Sequence, residues 1–269
     1  MILVTNDDGF NAIGIRRLYE GASELDDTLM VAPDNMRSAS GMSMSFTVPL
    51  RMNSLENYGI KGYSVSGYPA DCIAIAKHVI LKNKKIDLVT SGINYGSNIS
   101  LRALYTSGTI SAAMAAALIG IKSMAFSIVT EHANTKKGAD FDRASVVSKY
   151  IISEFLKNGF PENVDILNIN FPEKMDENTK IKVVPMLKNA FSDFVNQRKD
   201  PTGKDYYWFG NTFGEFDESN SDYYVLIKEK NISVTPLSVH GHSINDFSST
   251  VQFFDNVSQA LYEDDIYNM

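Results

Sequence analysis

Two adjacent carboxylates, Asp7 and Asp8, stand between Asn6 and Gly9 directly after the apolar run Ile2 to Thr5. Neighbouring acids repel each other unless something compensates them, and carboxylate oxygens suit a hard cation bound between a strand and a helix. Asn, Asp and Gly are also turn formers, so a plain turn accounts for the same four residues. A second segment, Ala32-Pro33-Asp34-Asn35-Met36-Arg37-Ser38, offers a hydroxyl at Ser38 and a guanidinium suited to phosphate at Arg37, or is an ordinary loop. The third, Ser91-Gly92-Ile93-Asn94-Tyr95-Gly96-Ser97-Asn98, carries an amide oxygen at Asn94 that could reach a metal, and two glycines that let backbone approach a ligand closely. In the fourth, Thr106-Ser107-Gly108-Thr109 opens the small-residue helix running from Ile110 to Ala117. Free N–H groups and hydroxyls there would hold a phosphate, and simple N-capping explains the same residues. Neither G-x-G-x-x-G nor the P-loop pattern occurs, which removes support for dinucleotide or ATP chemistry.

These segments need elements to position them. Short apolar runs at Ile2 to Thr5, Thr28 to Ala32, Ile86 to Ser91, Ser123 to Ile128 and Val164 to Asn168 read as strands. Between them, Ile13 to Leu25, Ala70 to Leu81, Ser111 to Leu118 and Asp142 to Leu156 place apolar residues at helical spacing. The alternation predicts an α/β fold, three-layer and Rossmann-like, with a mostly parallel sheet whose strands are apolar on both faces. Ligands of such sheets bind beyond the carboxyl ends of the strands, where the strand order reverses, and three of the four segments follow predicted strands. After about Phe171 the texture changes. Lys180 to Pro185, Asp205 to Trp208, Tyr223 to Ile227 and Ile232 to Leu237 read as strands, with Ser192 to Gly203 and Asn211 to Asp222 as exposed loops. This predicts a Rossmann-like domain over residues 1–175, a β-rich dimerisation arm over 176–243, and Ile244 to Tyr262 returning as a helix to the first domain.

Composition restricts the partners. The 269 residues are 44% hydrophobic and 21% charged, typical of globular proteins. Net charge is −7 and the 25 basic residues are scattered, so a nucleic acid polymer is an unsuitable partner. The lone cysteine, Cys72, excludes an intramolecular disulfide and suggests a reducing compartment. The N-terminal run soon meets Asp7 and Asp8, too soon for a secretory signal, and no apolar stretch reaches the roughly 20 residues of a membrane span. The expectation is a cytoplasmic protein without membrane contact.

Together the segments resemble the SurE family, the stationary-phase survival nucleotidases. The matching residues are Asn6-Asp7-Asp8-Gly9, Ala32-Pro33-Asp34 with Arg37-Ser38, Ser66-Gly67 with Pro69, and Asp71-Cys72. They continue through Ser91-Gly92-Ile93-Asn94 with Gly96 and Asn98, Ser107-Gly108-Thr109, Asp200-Pro201 with Gly203 and Trp208, and Val234-Thr235-Pro236-Leu237, spanning nearly the whole chain. The resemblance implies a metal site of Asp7, Asp8, Ser38 and Asn94 holding one Mg²⁺ or Mn²⁺ per subunit. It implies phosphate contacts from Asn6, Gly9, Asn94, Asn98, Ser107, Gly108 and Thr109, with Asp7 and Asp8 as the catalytic pair. The implied reaction releases phosphate from nucleoside 5'- and 3'-monophosphates, and from short polyphosphate, in a homodimer or homotetramer joined through C-terminal arms. Oxygen ligands fit Mg²⁺ or Mn²⁺, whereas zinc prefers His or Cys. The sequence departs from the family between Asn98 and Ser107, where Ile99-Ser100-Leu101-Arg102-Ala103-Leu104-Tyr105 replaces a Gly- and Asp-containing segment and Thr106 stands where tyrosine is common.

Two other functions accommodate an Asp pair: a nucleotide-sugar transferase that clamps diphosphate through a divalent ion, and a non-catalytic nucleotide-sensing module. Phosphate release from AMP without an acceptor separates hydrolysis from both. Among lesser candidates, His78 reads as a surface or packing residue, His240 and His242 either as an acid near the site or as a bonded strand end. Tyr206 to Phe209 read as interface aromatics more than as a base-stacking surface.

Overall fold

The computed structural model describes residues 1–130 and 139–239, and every element below lies in the compact unit Met1–Leu237. In chain order they are β1 Ile2–Thr5, α1 Ile13–Ser23, β2 Thr28–Pro33, β3 Met52–Asn57, β4 Ile60–Val65, α2 Pro69–Ile75, β5 Leu88–Tyr95, α3 Ser100–Thr106 and α4 Gly108–Leu118. There follow β6 Ser123–Ile128, α5 Phe141–Asn158, β7 Ile166–Phe171, β8 Ile181–Val183, β9 Phe191–Lys199, β10 Asp205–Phe213 and β11 Ile232–Leu237. Two π-helical turns, Ala76–Ile80 and Tyr224–Lys228, complete the set.

Nine strands form one sheet in the order β3-β4-β2-β1-β5-β6-β7-β11-β8. From β4 to β7 every neighbouring pair is parallel, and β3 and β11 join antiparallel to β4 and β7. Alternate residues of a strand point to opposite faces, and β1 shows this directly. Ile2 and Val4 pack on one side with Ile15 and Leu18 of α1 and Ile152 of α5. Leu3 packs on the other with Cys72 and Ile73 of α2 and Ala112 and Ala116 of α4. Both faces are therefore covered, which explains why the central strands are apolar throughout.

Chain order places the site. The strand after β1 lies on one flank of it, and β5, reached after the β2–β4 excursion, lies on the other. The order reverses at β1, and a crevice opens where β1 and β5 end. Gly14 of α1 packs on the end of β5 so closely that a Cβ would stand 1.9 Å from the Ile93 carbonyl oxygen. The Gly92–Ile93 peptide is cis, and pairing with β6 shifts register between Ser91 and Asn94.

Several local expectations are corrected. Tyr223 to Ile227 is no strand: Tyr224–Lys228 is a π-helical turn whose Val225 and Leu226 are buried. Ser192 to Gly203 is mostly strand β9, and β10 runs on to Phe213, so the two pair antiparallel over nine residues. Asp205 to Trp208 is strand as expected, within β10, whereas the polar, exposed sequence of β9 hid it. Ser221 and Asp222 are buried, not loop surface. The helix from Ala70 continues past Ile75 only as a π-turn, and β5 starts at Leu88 and reaches Tyr95. Strand β7 likewise starts and ends later than expected, at Ile166 and Phe171. Strands β3 and β4 and helix α3 are additional. Strands β8 and β11 belong to the main sheet, whereas β9 and β10 form a separate ribbon. Ile244 to Tyr262, His240 and His242 lie outside the described residues.

Candidate metal and phosphate site

Asp7 is buried at the end of β1. Burial, and then the Asp8 charge, push its carboxyl up to about 7, against an ordinary carboxylate near 3.8, while a hydrogen bond from Thr109 pulls the other way. That bond runs from Thr109 Oγ1 to Asp7 Oδ1 at 2.5 Å. The N-terminus of α4 thus faces a carboxylate, the charge its dipole favours. Gly108 makes this approach possible, since a Cβ there would stand 2.6 Å from the Asp7 Cβ. Ser107 caps the helix, its Oγ accepting from Ile110 N at 3.2 Å.

Asp8 is only partly covered and reaches toward β5, its Oδ2 accepting from Tyr95 N at 3.2 Å. One residue earlier, Asn94 donates its amide nitrogen to Gly96 O at 2.7 Å, which commits the nitrogen and leaves the amide oxygen for another partner. The segment with Ser38 is drawn in by its backbone: Arg37 N donates to Asp7 O at 2.7 Å. Ser38 then lines the same cavity as Asp8. Among the described residues no three His, Cys, Asp or Glu side chains gather to hold an ion. A cation here would need hydroxyl and amide oxygens beside Asp7 and Asp8, and Ser38 and Asn94 are of that kind. Two carboxylates, a hydroxyl and an amide oxygen fit Mg²⁺ or Mn²⁺ chemistry.

Three of the expected contacts have partners within the chain. Asn6 is buried and spends both amide atoms on Gly9, donating to its carbonyl at 3.0 Å and accepting from its N–H at 3.1 Å. It shapes the turn that presents Asp7 and Asp8. Arg37 bonds Asp34 and the Ser66 carbonyl and lies over the Tyr68 ring, so its guanidinium is directed to α2. Asn98 is buried too: its backbone and side chain bond Asn170, Asn168 and Ser127. This network fixes the Gly96–Asn98 loop, which still lines the cavity. His78 is exposed on the π-turn after α2.

The cavity measures about 870 Å³. Asp8, Ser38 and Gly96 to Asn98 line one part of its wall; Arg102, Phe191, Phe209 and Asn211 to Phe213 line another.

The survival protein SurE family model matches residues 2–193. The chain belongs to the SurE family. A protein of Picrophilus torridus named 5'-nucleotidase SurE is 47% identical over 97% of this chain and all of its own length. One of Methanothrix thermoacetophila with the same name is 37% identical over 94% of this chain and 98% of its own. The crystal structure of the SurE protein from Aquifex aeolicus superimposes with a TM-score of 0.78 at 34% identity, covering 94% of this chain and 99% of that one.

Within this SurE fold, sequence reasoning missed the far wall of the cavity. Arg102 lies in the segment that departs from the family pattern, and that departure was the available signal. Phe209 was weighed as a base-stacking residue, with an interface role preferred, while Phe191 and Phe213, beside and within stretches read as exposed loops, gave no signal. Asp222, buried behind α3, was hidden inside a stretch whose Asp, Glu, Asn and Ser content reads as solvent loop.

Proposed function

We propose that this chain hydrolyses nucleoside 5'-monophosphates, with 3'-monophosphates and short polyphosphate as further substrates, using one Mg²⁺ or Mn²⁺ held by Asp7, Asp8, Ser38 and Asn94. The observation that supports the reading is the hydrogen bond from Thr109, at the start of α4, to Asp7, with Asp8 and Ser38 lining one cavity near the switch point of the sheet. When bound, the cation would supply Lewis-acid polarisation of the phosphoryl group. The residues supply the rest. Asp8, partly exposed on the cavity wall, or Asp7 would orient a water and accept its proton. Asp7, held by Thr109 at the start of α4, is the buried, fixed member of the pair. The hydroxyl of Ser107 and the N–H groups at the start of α4 stand beside the place where the phosphate would sit, with Asn94 and Asn98 on the opposite loop. Arm pairing through β9 and β10 into a homodimer or homotetramer goes with this reading, as does a cytoplasmic setting in which Cys72 stays reduced.

The test is phosphate release from nucleoside monophosphates with Mg²⁺, Mn²⁺ or EDTA, comparing wild type with Asp8→Asn. Activity should vanish with EDTA and fall at least about a hundredfold in the variant, the scale of a lost charged group in an active site. Full turnover in either condition sinks the proposal. Binding without turnover would favour a sensing module.

A further inference from the structure

The strand register divides the ribbon into two faces. Phe191, Asp193 and Val195 of β9 pair with Phe213, Asn211 and Phe209 of β10, so these six residues share one face. That face meets α3 through Arg102. The Arg102 guanidinium carbon lies 5.6 Å from the ring centroids of both Phe191 and Phe209, and its Nη1 donates to Asp193 Oδ1. Phe191 is itself stacked on Phe213, centroids 5.2 Å apart, which fixes the wall.

Arg102 is the only Lys or Arg among the described residues that line the cavity. It is one quarter exposed, and Asp193 takes one of its five N–H donors, so others remain for a ligand. A guanidinium beside aromatic rings stacks on flat conjugated groups, and nucleobases bind such surfaces with little regard to sequence. Asp193 neutralises much of the Arg102 charge, which disfavours a role as a second phosphate anchor. The phosphate end has its own groups at Asp8 and the α4 N-terminus. The remaining part of a nucleoside monophosphate is the base and its sugar.

We propose that Arg102, with Phe191 and Phe209, forms the nucleoside-holding end of the site and that Arg102 determines the preference for nucleotides over other phosphate esters. The inference rests on the nucleotidase reading and deepens it. The π-faces of the platform accept any base, so purine and pyrimidine nucleotides should bind alike within about tenfold.

The experiment compares AMP with ribose 5-phosphate, the same sugar phosphate without the base, for wild type, Arg102→Ala and Phe209→Leu. Arg102→Ala should raise KM for AMP about tenfold or more with kcat within about threefold, the size of one lost stacking contact, and leave ribose 5-phosphate kinetics unchanged. Phe209→Leu, at an exposed position, should show the same pattern more weakly. Calorimetric binding of adenosine, which has no phosphate, should be lost in Arg102→Ala and kept in Asp8→Asn. Equal loss on AMP and ribose 5-phosphate, or an unchanged KM for AMP, overturns the proposal. Wild type inactive on AMP but active on ribose 5-phosphate would overturn the nucleotidase reading instead.

Discussion

The Asp222 carboxylate accepts the backbone N–H of Ser100 at 2.7 Å, joining residues 122 positions apart. It also accepts from Leu187 N at 2.9 Å and Tyr223 N at 2.8 Å, all within a buried pocket. Ser100 begins α3 just after Asn98, with a left-handed φ of 69° that only a firmly held backbone maintains. Asp222 therefore anchors both the Gly96–Asn98 loop and the helix that carries Arg102.

Removing that anchor leaves three buried backbone donors unpaired, at about 1–3 kcal/mol each. Asp222→Ala should lower stability by about 3 kcal/mol or more, read from urea unfolding. Asp222→Asn keeps an acceptor oxygen and should lose less. A midpoint unchanged in the Ala variant would show that the network is not holding α3.

Asp7 gives a pH dependence of definite sign. Its carboxyl is pushed up to about 7 in the folded chain by burial and by Asp8, against about 3.8 ordinarily. Between those values the folded protein binds more protons than the unfolded chain, so Asp7's contribution to stability falls as pH rises through that window. Other carboxyls act the opposite way: Lys85 and the N-terminal ammonium hold Asp87 below its usual range, and Asp26 is held down chiefly by the same ammonium. The measurement is therefore a difference. In EDTA, Asp7→Asn should gain on wild type as pH climbs from about 4 to 7, and Mg²⁺ should erase the gap by stabilising wild type alone. Parallel pH profiles for the two proteins would contradict the assignment.

The legible part of the molecule was the part with a double-sided core. β1, β2, β6 and α1 are written in apolar residues whose spacing their environment demands, and the acids after β1 stand out because nothing in a core explains them. β3 was illegible for the opposite reason: Met52–Asn57 is an edge strand with no buried side chain and so no alternation. Strand β9 and the end of β10 failed likewise, although Asp200, whose side chain accepts from Thr202 N and Lys204 N, together with Gly203 at φ 86°, marks the turn between them. The partners that Asn6 and Arg37 take, Gly9 and Tyr68, were not legible in the sequence because the fold sets them.

Gly108 tests how closely α4 must approach the acids. A methyl at this position would stand 2.6 Å from Asp7 Cβ and 2.8 Å from its Oδ2, with neither atom free to retreat into the core. Gly108→Ala should displace the helix start or the carboxylate, and misplacements near 1 Å cost catalysis about a hundredfold. Phosphate release should drop by that order. Tm should change little, because Ala is the better helix former and offsets part of the clash. Wild-type kinetics in this variant would mean that the contact between α4 and Asp7 is not required.

The opposite face of the ribbon addresses assembly. Trp208 and Phe194 share it and are 61% and 44% exposed, with no core behind them. A two-stranded ribbon alone is marginal in water, and exposed aromatic clusters of this kind mark protein interfaces. Pairing of ribbons between subunits would cover both residues while leaving the Arg102 face to the cavity. Trp208→Lys should therefore shift the protein toward monomer in light scattering after size exclusion and enhance proteolysis between Phe191 and Phe213. Because Trp208 points away from Phe209, the monomer's KM ratio for AMP over ribose 5-phosphate should move only if the partner subunit orders the ribbon. An oligomer of wild-type mass in Trp208→Lys would place the interface elsewhere.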